Sequence, residues 1–274
     1  MTCRIEFNKP GSLSLSFLEG LWIIIGYLIL FKGIIMGLVE MFIPENISST
    51  HESFLFVILE ALAILLLTCL LRIRIRKKYD HEFNFGFKCT FDFRLFFFLM
   101  ISFAAYFIAY RSSLGLVMDK LPQSELITRI LDSKTRNFEN NPLPMLLSMV
   151  LLAPLFEEVV VRGVILRGFL NRYSPVYAIW LSGILFGISH GYPPQIINAI
   201  FLGIMLGYIY FYTRSIVICI LLHSFLNGLA IHLYSVQFEF NLLSFTWSFL
   251  LFIITLWYFF KHKIPSDGKL MKIP

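Results

Sequence analysis

The chain has little charge. Asp, Glu, Lys and Arg make up 15% of its 274 residues, against about 25% in an ordinary soluble domain. That scarcity excludes a soluble globular enzyme, and with it a disordered chain. Cysteine is also scarce: four residues, at positions 3, 69, 89 and 219, with no Cys-x-x-Cys spacing. This excludes a disulfide scaffold and a thiolate metal site. Glycine is limited to 16 residues beside 30 phenylalanines, which argues against a transmembrane β-barrel of alternating ten-residue strands. There is no internal repeat, low-complexity tract or soluble domain.

What is present is apolar. The 58% of hydrophobic residues, roughly 160 side chains, equals what eight spans of about 20 residues require. The mean hydropathy of +0.77 agrees. Apolar runs fall at about 17–43, 53–71, 95–110, 145–166, 175–190, 196–212, 215–234 and 243–260. The first is too long for a signal-peptide core and holds Glu19, Lys32 and Glu40 with no small-residue cleavage site, so it reads as a retained span. The expected fold is an all-α integral membrane protein: one polytopic domain over 1–274, a bundle of about eight transmembrane helices, multi-pass in the cell membrane.

Charge sets the orientation. With a cytoplasmic N-terminus, 16 of the 23 Lys and Arg fall in inner segments and five, all between Arg111 and Arg136, in outer ones. The positive-inside rule then puts both termini in the cytoplasm. The run Arg72-Ile-Arg-Ile-Arg-Lys-Lys78 reads as the inner anchor of the second span, facing membrane lipids rather than nucleic acid. In the outer segment 112–143, Ser124 is expected to cap a short interfacial helix carrying Leu126, Ile127, Ile130 and Leu131. Pro142 and Pro144 mark the start of the fourth span.

Ionisable groups deep in a bilayer point to function, because each costs about 2.5–3.5 kcal/mol at a helix centre. The fourth span holds three within six residues, in Phe156-Glu-Glu-Val-Val-Val-Arg162. They must face a bundle interior or a wet cavity. Glu158 and Arg162 are i,i+4 and can pair. Glu157 points about 100° away and keeps an incomplete partner among apolar neighbours, which suits a general base. The plain alternative is a buried ion network that only locks helix packing.

Two further spans carry polar groups. The fifth ends Phe186-Gly-Ile-Ser-His190, and Gly183, Gly187 and Gly191 are spaced to share one face for close helix approach. Gly203 and Gly207 repeat that spacing on the next span. The seventh contains His223-Ser-Phe-Leu-Asn227, whose two polar side chains share a face. They can donate hydrogen bonds to a developing oxyanion, or serve as interhelical glue. By helix rise, Glu157 and His223 share an inner-middle depth, whereas His190 sits higher.

Glu-Glu-x-x-x-Arg, Phe-x-x-x-His and His-x-x-x-Asn, in this order on three separate spans, form a compound pattern. Over about 153–230 the chain resembles the CAAX protease and bacteriocin-processing (CPBP, or Abi) family of intramembrane endopeptidases, which includes the type II CAAX prenyl endopeptidases. No motif position departs from the family pattern. The resemblance implies a catalytic core at about 145–234. There Glu157 and His190 activate a water, His223 and Asn227 stabilise the oxyanion, and Glu158, Arg162 and Phe186 support the site. The family is often labelled metalloprotease. Zinc on Glu157, His190 and His223 is one option, and metal-independent chemistry is favoured because there is no His-Glu-x-x-His. The implied substrate is a membrane-associated or lipidated peptide, or a bacteriocin-like precursor. The competing functions are a noncatalytic scaffold or peptide-immunity protein using the same cavity, and a transporter.

Overall fold

A computed structural model describes residues 13–27, 34, 49–79, 93–118, 120–122, 125, 128, 139–191 and 193–263. Among these residues every regular element is helical. The order is α1 (Phe17–Tyr27), α2 (Ser49–Tyr79), α3 (Phe93–Met118), α4 (142–170), α5 (Pro175–Ile188), α6 (Pro193–Thr213), α7 (Ile216–Ser235) and α8 (Leu242–Lys263). Each apolar run of the sequence contributes one helix. Five of them, α2, α3, α6, α7 and α8, are long and apolar enough to cross a membrane. Apart from Ile34, the rest of the first run lies outside the described residues. So do Ser124, Leu126, Ile127, Ile130 and Leu131 of the expected interfacial helix.

Local sequence sets the boundaries. Proline at the first turn opens α4, α5 and α6, where its missing N–H costs nothing. Ser215 caps α7 by accepting from the Ile218 N–H at 3.2 Å. Arg76, Lys77 and Lys78 close α2, where cations complement the helix dipole. Lys78 also pairs with Glu19 of α1.

The centre of the bundle is built on α4. Val164, Ile165, Leu166 and Phe169 are fully buried, packed with Leu185, Phe186, Leu206 and Leu222 from α5, α6 and α7. The segment before α1 is tied to the end of α4: Leu15 N–H donates to Gly168 O at 3.1 Å, and Asn171 Nδ2 to Leu13 O at 2.6 Å. Helices α2 and α8 lie at the periphery, exposing Leu62, Leu65, Leu66 and Ile73 on one and Trp247, Leu250, Ile254 and Trp257 on the other. Such continuous apolar faces suit lipid as the surrounding medium.

Helices α5 and α6 meet at their glycines. A Cβ on Gly203 would stand 2.9 Å from Gly183 Cα, and one on Gly187 would stand 2.8 Å from Ile196 O. Neither leaves room for a side chain, which is how small residues bring helix backbones together. Gly191 departs from the expectation. Helix α5 ends at Ile188, and Gly191 sits in the following turn at φ +70° with open space around it. Its role is conformational: a left-handed residue that lets the chain turn into α6.

Candidate active site

Helix α4 is not a regular rod. π-helical turns at Leu147–Leu152 and Val159–Leu166 flank one α-helical stretch, Ala153–Glu158. Segments of this kind recur at functional sites because they redirect side chains and free backbone groups. The redirected side chains here are Glu157, Glu158 and Arg162.

Glu158 and Arg162 are completely buried. Arg162 Nη1 donates to Glu158 Oε1 at 2.9 Å, the pairing expected from their spacing. Its second terminal nitrogen, Nη2, donates to Gly203 O at 2.9 Å. That carbonyl is within reach because the α5–α6 glycine contact leaves no side chain in the way. The guanidinium carbon also lies 4.9 Å from the centroid of the Phe186 ring, a favourable cation–π placement in a dry interior. Phe186 is itself fully buried. Its role is therefore physical: it seats the arginine from one side while its ring edges meet the two histidines.

His223 enters from α7. Its Nδ1 lies 2.8 Å from the same Glu158 oxygen that Arg162 holds. Glu158, expected only to pair with Arg162, thus joins the arginine to the imidazole. The other nitrogen, Nε2, faces Glu157 Oε2 at 3.9 Å. That gap is too long for a direct hydrogen bond, and a water about 2.8 Å from both atoms would bridge it. The Glu157 side chain retains 14% exposure where Glu158 has none. Glu157 and His223 therefore meet, as their shared depth predicted.

His190 lies just past the end of α5, in the turn that leads to α6. A 14-residue helix rises about 21 Å, well short of a hydrocarbon layer of about 30 Å. Its Nδ1 is 2.9 Å from Phe186 O. A carbonyl can only accept, so Nδ1 carries the hydrogen and Nε2 is the basic nitrogen of the neutral ring. The Phe186 ring stands edge-on to both imidazoles, with centroids 4.9 Å from His190 and 5.7 Å from His223. One aromatic side chain thus links the two histidines and the arginine. Asn227, one turn beyond His223, gives one amide hydrogen to Met149 O of α4 at 2.8 Å and keeps the second for another acceptor.

Among the described residues, no three His, Cys, Asp or Glu side chains are spaced to hold a metal ion. The set Glu157, His190 and His223 is accordingly not gathered as a ligand cluster, although the carboxylate behind His223 Nδ1 is what an oriented imidazole uses in metal sites and hydrolytic sites alike. A cavity of about 350 Å³ lies elsewhere, between α1, α2 and α4, lined by Phe156, Val160 and Val164. Those residues occupy the face of α4 opposite Glu158 and Arg162. Sequence reasoning passed over Glu60. It is a buried carboxylate on α2, and the rule that ionisable residues inside apolar runs are significant would have found it.

Residues 139–229 match the family described as type II CAAX prenyl endopeptidase Rce1-like. This stretch of the chain is Rce1-like. It covers about a third of the sequence, from the start of α4 into α7, and contains all seven residues discussed above. The Rce1-like segment coincides with the helices that enclose the ion chain, while α2, α3 and α8 pack around it. The match implies a protease, and the apolar helices imply a membrane protein. No curated protein and no solved structure matches the chain.

Proposed function

We propose that this protein is an intramembrane endopeptidase of the cell membrane, hydrolysing a peptide bond in a membrane-associated or lipidated substrate such as a prenylated CAAX peptide. The observation that carries the reading is the buried relay Arg162–Glu158–His223, which presents one imidazole nitrogen 3.9 Å from the partly exposed Glu157. A structural ion lock needs only the first two members. The third and fourth add an acid and a base facing a water-sized gap, inside the segment that is Rce1-like.

In this mechanism Glu157 takes a proton from water, and the hydroxide oxygen bonds to the scissile carbonyl carbon. His190, with Nδ1 engaged by Phe186 O, offers Nε2 to the same water. The carbonyl oxygen becomes an oxyanion held by His223 Nε2–H and the free amide hydrogen of Asn227. With Nδ1–H already on Glu158, His223 is an imidazolium when it donates from Nε2, and each of its nitrogens then has a carboxylate nearby. Collapse breaks the C–N bond, and the proton held by Glu157 passes to the leaving amine. No step is routed through a metal. Both termini are assigned to the cytoplasmic side from the distribution of Lys and Arg.

The test is hydrolysis of an internally quenched farnesylated CAAX peptide, with a non-prenylated peptide library in parallel, by the protein in proteoliposomes. Glu157→Gln is expected to abolish turnover while insertion and unfolding stability stay unchanged. Activity is expected to survive exhaustive chelation. Cleavage that persists at full rate in Glu157→Gln removes the assignment. Loss of activity on chelation, restored by zinc, would instead make Glu157 and the histidines metal ligands. If no peptide is cut yet a peptide still binds, the noncatalytic scaffold reading takes over.

A further inference from the structure

Helix α4 has a proline where its hydrogen-bond register slips. Ala153 N–H donates to Ser148 O, an i to i+5 bond at the end of the π turns Leu147–Leu152. One residue further in that register, Met149 O would accept from residue 154. That residue is Pro154, which has no N–H. Met149 O is thus denied its helical donor, and a backbone carbonyl in an apolar helix bundle is stabilised by finding another. The donor comes from α7: Asn227 Nδ2, at 2.8 Å. The neighbouring residues lie near each other, since a Cβ on Gly228 would make an ordinary van der Waals contact, 3.9 Å, with Val150 Cγ1. Pro154 is buried and precedes Glu157 by three residues.

We propose that Pro154 is a positioning residue for Asn227. By withholding an N–H it reserves Met149 O for the Asn227 amide, fixes the plane of that amide, and aims its second N–H at the point where the oxyanion forms. The inference rests on the oxyanion role given to Asn227 above. Alanine at position 154 restores an N–H that competes for the same carbonyl. A carbonyl oxygen has two lone pairs, so the competition loosens Asn227 without evicting it. The effect is therefore smaller than deleting the amide.

The experiment uses the full chain in proteoliposomes with the quenched farnesylated CAAX peptide. Asn227→Ala is expected to lower kcat about 10²–10³-fold, as for other oxyanion donors. Pro154→Ala is expected to lower kcat about tenfold with KM unchanged, and to add nothing in the Asn227→Ala background. Lactic acid at position 154 replaces the N–H with an ester oxygen and lacks the proline ring. It is expected to return kcat to within about twofold of the Pro154 protein. Unchanged kcat in Pro154→Ala, or a lactate variant as slow as the alanine one, overturns the proposal.

A second readout does not depend on catalysis. Met149-Val150 is the one Met-Val step in the sequence, so carbonyl-¹³C methionine with ¹⁵N valine gives a single coupled NMR signal. Its carbonyl shift is expected to move on Asn227→Ala when residue 154 is proline, and to move less when residue 154 is alanine, where the amide is already loosened. No movement in the proline background overturns the inference itself. Movement there, combined with full kcat in Asn227→Ala, instead overturns the oxyanion reading on which the inference rests.

Discussion

Replacing Arg162 with methionine removes the guanidinium that pairs with the fully buried carboxylate of Glu158. Three interactions go at once: the 2.9 Å bond to Glu158, the 2.9 Å bond to Gly203 O and the stacking on Phe186. Breaking one side of a buried ion pair costs about 3–5 kcal/mol, because the surviving charge is left uncompensated. Here His223 Nδ1 still touches Glu158 at 2.8 Å, and an imidazolium can serve as a substitute counter-charge. The lower end of the range applies, about 3 kcal/mol, or roughly a hundredfold in the folding equilibrium. Equilibrium unfolding by steric trapping in bicelles measures this directly. The companion variant Glu158→Gln/Arg162→Met removes the stranded charge and is expected to recover at least about 1 kcal/mol. A single-variant cost below about 1 kcal/mol, or a double variant no more stable than the single, would refute the argument that charge burial holds this site together. Arg162→Lys keeps the charge but not the fork that spans Glu158 and Gly203 O, so it is expected to fall between the two.

Other outcomes follow from the packing. Gly187→Ala pushes a methyl group against Ile196 O at 2.8 Å and Ile200 Cγ1 at 2.2 Å, and is expected to cost about 1–3 kcal/mol by overpacking in the same unfolding assay. Gly191→Ala meets nothing within 4 Å but sits at φ +70°, so its cost is about 1 kcal/mol of backbone strain alone. Tyr106→Phe removes the 2.8 Å hydrogen bond from α3 to Asn198 Oδ1 on α6. It is expected to lower stability by about 1 kcal/mol, read by unfolding, with little change in KM. For the Lys78–Glu19 pair, half exposed on one side, Glu19→Gln is expected to change stability by less than about 1 kcal/mol.

Much of the architecture was legible in the amino-acid sequence. Each apolar run became a helix because a buried or lipid-facing backbone has to satisfy its own hydrogen bonds. The Glu158–Arg162 pair followed from helical spacing, and glycine spacing marked close helix approach on α5 and α6, but only the structure showed that these two faces meet each other at Gly183 and Gly203. The place of Gly191 did not follow. Three glycines at four-residue intervals share a face only while the helix lasts, and α5 stops at Ile188 because the chain turns back at His190. Glu60 carried a clear signal, an acid within an apolar run, but its burial depends on which way α2 is rotated.

What the sequence alone determined is therefore local: helices, the proline start of α4, and the requirement that Glu157, Glu158, Arg162, His223 and Asn227 be hidden from lipid. Only the tertiary structure decided that His223 takes Glu158 through Nδ1 and turns Nε2 toward Glu157. It alone decided that Asn227 anchors on a carbonyl released beside Pro154. The physical reason is rotational. Spacing along one helix fixes which side chains share a face, but the π turns of α4 and the glycine contact of α5 with α6 set how far each helix is turned. Hydrogen bonds between helices depend on that angle and not on sequence distance.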